Sequence, residues 1–357
     1  MALALPPAWS GAFYVVNGAS ISASFIFGPH LIPVMRILVT GASGFVGSAL
    51  VRHLATSSSY AVRASLRDSA GWDAPAAVEV VRGGALDAHT DWRAALAHVD
   101  VVVHCAARVH VMQEKAADPL QEFRRCNVDG TLNLARQAQA AGVKRFVFLS
   151  SIKVNGEHTR AGHPFTADDI PAPADPYGIS KLEAEQGLLQ LARQGAMDVT
   201  IIRPVLIYGP GVKANFLSMM RWVRKGIPLP LGAVTHNRRS IVALDNLVDL
   251  ITVCLHHPAA RNQVFLVSDG TDLSTAELLT RIARALGVPS RLLPVPLCWL
   301  QFAAAATGKR SVMQRLCGSL QVNQDKTLQL LQWHPPASTD AALRALADVF
   351  SSTNQSK

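Results

Sequence analysis

The stretch TGASGFVGSALVRHL, Thr40–Leu54, follows an apolar run and opens a helical pattern. Gly41, Gly44 and Gly47 stand in G-x-x-G-x-x-G spacing, with Phe45 and Val46 between the last two. Alone, that spacing is a weak signal. Between a strand and a helix it has a physical reading. Glycine permits a tight turn and lets the backbone approach a pyrophosphate, and the helix N-terminus adds N–H groups and a positive dipole end. The stretch therefore predicts a dinucleotide cradle built on Gly41, Gly44, Phe45, Val46 and Gly47.

Outward from the cradle, short apolar runs alternate with helical stretches. Ile37–Thr40, Ala61–Leu66, Val78–Val81, Val101–Cys105, Arg145–Leu149 and Val199–Ile202 read as strands, and their continuous hydrophobicity suits burial on both faces. Helical patterns lie between them, as at Leu120–Ala141 and Tyr177–Arg193. This alternation predicts an α/β fold with a doubly wound parallel sheet. The expected dinucleotide-binding domain covers 35–205, with a return at 241–270 through the strand Gln263–Val267. A smaller, mostly helical C-terminal substrate domain takes 206–240 and 271–350. The apolar stretch Leu297–Ala306 is too short to cross a bilayer and reads as a core helix.

Composition sets outer limits. Of 357 residues 49% are hydrophobic and 17% charged, which supports a large core and argues against disorder. Five dispersed cysteines, with no C-x-x-C, suggest neither a zinc site nor a disulfide framework and fit a reducing, cytoplasmic compartment. The histidines show no metal-ligand spacing, and no metal is expected. Residues 1–34 carry no Lys, Arg, Asp or Glu and are broken by Gly and Pro. They match neither a signal peptide nor a membrane span, so Met35 is the expected start and 1–34 a disordered tail or a start-site artefact. Residues 199–244 hold seven Lys and Arg and no acid. A solvated basic face and an anionic partner both explain that.

Two positions speak to chemistry. An acid at the end of the second strand would bind a ribose 2′-hydroxyl; this chain has Arg67, which suits a 2′-phosphate. NADP(H) is therefore expected over NAD(H), the bland alternative being a solvated arginine. Further on, Tyr177 and Lys181 lie four apart on one helix face in DPYGISKLEAE. A nearby ammonium is expected to lower the phenol pKa and ready Tyr177 for proton exchange. A serine at a strand end 26 residues upstream of Tyr177 strengthens the reading.

Together TGASGFVG, HCAA (104–107), NVDGT (127–131), LSSIKVNG (149–156), YGISK, RPVLIYGPG (203–211) and RRSIVALDN (238–246) resemble the extended short-chain dehydrogenase/reductases, the nucleotide-sugar epimerase/dehydratase family. The resemblance runs from about Met35 to near Leu343 and implies a Rossmann-type fold. It implies Tyr177 as proton donor and acceptor, Lys181 on the nicotinamide ribose, and Ser151 polarising the sugar oxygen, with Ser150 supporting the strand end. It implies Ala106 and Ala107 beside the cofactor, and Arg238 and Asn215 on the substrate phosphates. The implied partner is a nucleotide-diphosphate sugar rather than nucleic acid. A homodimer stays open.

This chain departs from the family in two places. Gly84-Ala85-Leu86 replaces the usual Gly-Asp-hydrophobic, so the adenine contact is either lost or moved to Asp87. Ile152 and Lys153 stand where 4,6-dehydratases keep an Asp-Glu pair, so dehydration is not expected. Two activities fit. One is NADPH-dependent 4-reduction of a UDP-4-keto-6-deoxy-N-acetylhexosamine in surface polysaccharide synthesis, favoured by Arg67. The other is UDP-glucose or UDP-GlcNAc 4-epimerisation with bound NAD. A non-catalytic dinucleotide-binding protein ranks third, because Ser151, Tyr177 and Lys181 are all present.

Overall fold

The computed structural model describes residues 34–67, 71–109, 118–160, 162–308 and 310–355. The uncharged stretch ahead of them, Asp68 and His110 lie outside the described residues. Residues Val34 onward form one compact unit.

Among the described residues nine strands run in chain order: β1 Met35–Thr40, β2 Tyr60–Leu66, β3 Glu79–Arg82, β4 Val101–His104, β5 Arg145–Leu149, β6 Asp198–Pro204, β7 Leu206–Tyr208, β8 Ile241–Ala243 and β9 Gln263–Val267. Seven form one parallel sheet in the order β3-β2-β1-β4-β5-β6-β9. The strands expected from the sequence are all present, and β9 does return to the main sheet beside β6. β7 and β8 pair separately.

Alternation explains why these runs are apolar throughout. Ile37, Val39, Val101, Val103 and Val147 face one core. Leu38, Val102, Phe146 and Phe148 face the other. Successive side chains point to opposite sides, so a strand covered on both faces needs apolar residues at every position. A third cluster gathers Tyr208, Phe216, Met220, Leu278, Ile282 and Leu346 from the C-terminal part of the chain.

The sheet order reverses at β1, whose neighbours are β2 and β4. Ligands of open α/β sheets bind outside the strand ends at such a reversal. Here Thr40 and His104 stand in register as the last residues of β1 and β4. The glycine turn follows the first, and Ala106 and Ala107 follow the second.

Three expectations need correction. Leu120–Ala141 is not one α-helix: a short helix Pro119–Phe123 leads into a π-helical stretch Arg124–Gly130 and then the helix Thr131–Ala140. Gly130 packs so closely on the chain that a Cβ there would lie 2.7 Å from the Leu86 carbonyl carbon. Inserted turns of this kind collect at functional sites because they redirect side chains. Second, Leu297–Ala306 is helical but not in the core: of its ten residues only Ala304 is buried. Third, the sequence places Met219, Met220 and Trp222 in the packing of a substrate-domain helix, whereas Trp222 is exposed and only Met220 of the three is fully buried.

Candidate functional site

The glycine turn has the geometry that its spacing predicts. Gly41 has φ +67°, and a Cβ there would sit 2.7 Å from the Ala106 nitrogen. Gly47 is tighter still, its Cβ position lying 2.1 Å from the Gly41 oxygen. The Gly44 N–H donates to Gly41 O at 2.9 Å, and the helix Phe45–Leu54 begins directly after Gly44, which carries no side-chain cap. That first helical turn is uncapped and points at the β1–β4 crevice, the arrangement a pyrophosphate requires. Val46 is buried beneath it, and Phe45 packs partly into two cores.

Arg67 follows β2 directly and is exposed. Arg82 is in register with Leu66 on β3 and is exposed as well. The β2–β3 edge thus carries two cations where a ribose would lie. Asp87 is engaged otherwise: its Oδ1 accepts from His89 N at 2.9 Å and from Thr90 N and Oγ1 at 3.0 Å. The His89 amide, foremost among these bonds, holds the carboxyl below its usual range. Asp87 therefore uses Oδ1 to cap its own turn.

LSSIKVNG separates its two serines. Ser150 is buried, and its hydroxyl donates to Glu185 Oε1. Glu185 is held by Arg203, with Nη2 to Oε2 at 2.6 Å and Nε to Oε1 at 3.0 Å. Arg203 Nη1 donates to Asn155 Oδ1 at 2.9 Å. Ser150 therefore anchors the end of β5, as expected. Ser151 is half-buried, and its hydroxyl oxygen accepts only the Lys153 N–H, at 3.3 Å. Its proton has no partner among the described residues.

The helix Pro176–Gln194 begins at Asp175, whose carboxylate caps Gly178 N at 2.7 Å. A Cβ on Gly178 would lie 2.9 Å from Lys153 O, so the first helical turn presses on the turn that carries Ser151. This close approach brings Ser151 and Tyr177 onto adjoining elements. Lys153 pairs with Asp175 and, at 3.2 Å, with Glu157. Ile152 is buried in the core. The two positions where a dehydratase would keep acids are thus occupied by a core residue and a neutralised cation.

Tyr177 and Lys181 share one helix face, but Lys181 does not act on Tyr177 as expected. The ammonium lies 4.0 Å over the Phe148 ring and is buried. Burial brings Lys181 down to about 8, against a smaller upward pull from Glu185. Burial raises the Tyr177 phenol to about 12, and Asp175 adds to the rise. Desolvation disfavours charge on both groups and is the largest cause of each shift. At neutral pH the pair is a neutral phenol beside a readily titrated ammonium.

Sequence reasoning missed the support around this pair. Asn127, in the π-helical stretch, accepts from Arg108 N at 2.8 Å and donates to Arg108 O and Ser180 Oγ, both at 3.0 Å. It ties the segment after β4 to the Tyr177 helix. The signal was available in NVDGT, where a polar residue breaks a helical apolar pattern. His104 is fully buried between Thr40 Oγ1 at 2.7 Å and Thr131 Oγ1 at 2.9 Å. Burial, with Lys181 second, lowers it to about 3.

That shift has a sign. The folded chain keeps His104 neutral, whereas the unfolded chain protonates it below about 6.5. Stability contributed by this site is present above pH 6.5 and is lost as pH falls toward 3. His104→Asn should therefore flatten the fall in unfolding free energy between pH 6.5 and 4, as measured by urea titration at each pH. Parallel curves for the two proteins would refute it.

The substrate-side residues are more dispersed. Asn215 is exposed in the first turn of the helix Ala214–Arg224. Arg238 donates to the carbonyls of Thr235 at 2.9 Å and Asn237 at 3.1 Å, and lies 3.7 Å from Glu277. The structure does not bring either of them into contact with Ser151 or Tyr177. Arg203, counted in the basic stretch, belongs to the buried network instead. Among the described residues no cluster of metal-binding groups exists, and no helix is long and apolar enough to cross a membrane.

A glycine turn at the reversal of a parallel sheet, with Tyr177 and Lys181 on the helix alongside, defines the Rossmann-type dinucleotide-binding class. Within it, the chain belongs to the NAD dependent epimerase/dehydratase family, whose model matches residues 37–268. It is 50% identical over 318 residues to the UDP-glucose 4-epimerase of Vibrio cholerae, covering 89% of this chain and 96% of that protein. It is 28% identical over 308 residues to the N-acetyl-alpha-D-glucosaminyl-diphospho-ditrans,octacis-undecaprenol 4-epimerase of Escherichia coli O157:H7, covering 82% and 88%. The solved UDP-glucuronic acid 4-epimerase of Bacillus cereus, in complex with NAD, superimposes with TM-score 0.72 over 90% of this chain and 99% of that one, at 21% identity. At that identity the likeness speaks to the fold.

Proposed function

We propose that this protein is a UDP-hexose 4-epimerase that works with NAD held in the β1–β4 crevice. The observation that carries the reading is the 50% identity to the Vibrio cholerae epimerase, spread over almost the full length of both chains. The site is compatible with it. The Gly41–Gly47 turn and the uncapped helix accept the pyrophosphate, and Ala106 and Ala107 flank it. Bound NAD would supply the hydride acceptor and donor at sugar C4. Tyr177 exchanges the proton of the C4 oxygen, Ser151 donates its unengaged hydroxyl to that oxygen, and Lys181 holds charge at the ribose. Arg238 and Asn215 bind the diphosphate after Arg238 leaves its carbonyl partners. Ile152 and Lys153 disfavour water elimination.

The 4-ketoreductase ranks second, on the exposed Arg67 and its neighbour Arg82. These cations suit a 2′-phosphate and hence NADPH. One experiment separates the two. The purified protein is denatured to identify any retained dinucleotide, then incubated with UDP-glucose and UDP-GlcNAc without added cofactor. We expect retained NAD and conversion to the C4 epimers. No epimerisation, together with NADPH oxidation on a UDP-4-keto-6-deoxy-N-acetylhexosamine, would replace the epimerase with the reductase.

A further inference from the structure

The helix Leu297–Ala306 violates the rule that an apolar helix is buried. Its sequence, LCWLQFAAAA, contains one polar residue. Trp299 is 71% exposed and Phe302 78%, with Leu293 and Leu297 exposed beside them. A helix apolar on all sides belongs in a core or in lipid. This one, ten residues long, measures ~15 Å, half of the ~30 Å needed to span a bilayer.

Its surroundings are basic. Residues 278–324 contain no Asp or Glu but six Lys and Arg. The other acid-free stretch, 199–244, is fastened to it: Leu229 N donates to Arg291 O at 2.9 Å, Leu293 N to Leu229 O at 2.8 Å, and Gly232 N to Leu293 O at 2.9 Å. The fold thus joins two segments, distant in sequence and both without acids, next to the exposed helix. Arg221, Lys225, Arg284 and Arg291 have no carboxylate within ion-pair distance among the described residues. Exposed aromatics on this helix, with cations lacking a carboxylate partner on the segments bridged next to it, suit contact with an anionic bilayer surface.

We propose that the helix Leu297–Ala306 docks this protein on the surface of an anionic phospholipid membrane, with Trp299 and Phe302 in the headgroup region and the exposed Arg221, Lys225, Arg284 and Arg291 against the lipid phosphates. A second copy of this face is the poorer occupant. A twofold contact would set the same acid-free rim against itself.

The test is co-sedimentation of the full chain with vesicles containing phosphatidylglycerol and with vesicles of phosphatidylcholine alone. We expect binding to the anionic vesicles, weakened by added salt. Trp299→Ser with Phe302→Ser should lower that binding about tenfold or more while turnover in solution is unchanged. Equal binding of the double variant would place the contact elsewhere and overturn the proposal. So would a wild-type chain that ignores both vesicles, whether or not the double variant changes its oligomeric mass by light scattering. A change in mass without vesicle binding would mark this face as a contact between protein chains.

Discussion

Tyr177→Phe is expected to lower epimerase turnover by about a thousandfold, the usual worth of a positioned proton-transfer group. Dinucleotide content should be unchanged. The phenol makes no hydrogen bond to a described residue, so its loss leaves no buried partner unsatisfied. Its ring contact, an edge-on packing against Phe123 at 6.0 Å, is kept by phenylalanine. Folding and cofactor retention should therefore survive, and only the proton step should fail. The charge state sharpens the expectation. Tyr177 titrates near 12, so the resting group is a neutral phenol. Lys181, near 8, is the group that changes charge in the working range. The wild-type rate should accordingly fall as pH rises through Lys181's titration, since deprotonation removes the positive charge that Lys181 is proposed to hold at the cofactor ribose. Full activity of Tyr177→Phe would remove the site assignment.

How much of this could be read beforehand differs by element. The β1 turn was legible because glycine spacing is a direct backbone statement: Gly41 needs positive φ, and Gly47 has no room for a side chain. The strands were legible because burial on both faces leaves an unbroken apolar run. The break in Leu120–Ala141 was not, since Gly130 meets Leu86 only in three dimensions. The helix Leu297–Ala306 misled for a physical reason. Hydrophobicity tells that a segment leaves water, but not whether it enters a core or meets another surface. Lys181 misled similarly: spacing placed it beside Tyr177, whereas the aromatic ring of Phe148 beneath it and the cost of desolvation decided its effect. Between epimerase and reductase, the sequence signal that favours the reductase is Arg67. That is a single exposed side chain, and near-full-length identity to an epimerase outweighs it.

The second large effect lies beneath LSSIKVNG rather than in it. Arg203 and Glu185 are 4% and 2% exposed in their side chains and are joined by three charge-assisted bonds of 2.6–3.2 Å. Ser150 and Asn155 complete the cluster, and Asn155 Nδ2 fastens it to Thr166 O at 2.8 Å. Replacing Arg203 by Met would leave the Glu185 carboxylate buried without its counter-charge. The expected loss is about 3–5 kcal/mol of stability. For a chain of this size that corresponds to a fall of roughly 10 °C in Tm. The pair itself need not be stabilising: Arg203→Met combined with Glu185→Leu should recover most of the loss, because two apolar side chains carry no desolvation cost. Turnover separates structure from position. Glu185 holds Ser150 at the end of β5, one residue before Ser151, while its own helix carries Tyr177. If the cluster sets the distance between those two hydroxyls, the double variant should regain Tm but not kcat. Recovery of both would reduce the cluster to a matter of stability, and a single-variant loss below about 1 kcal/mol would show that the buried charge is compensated by other groups.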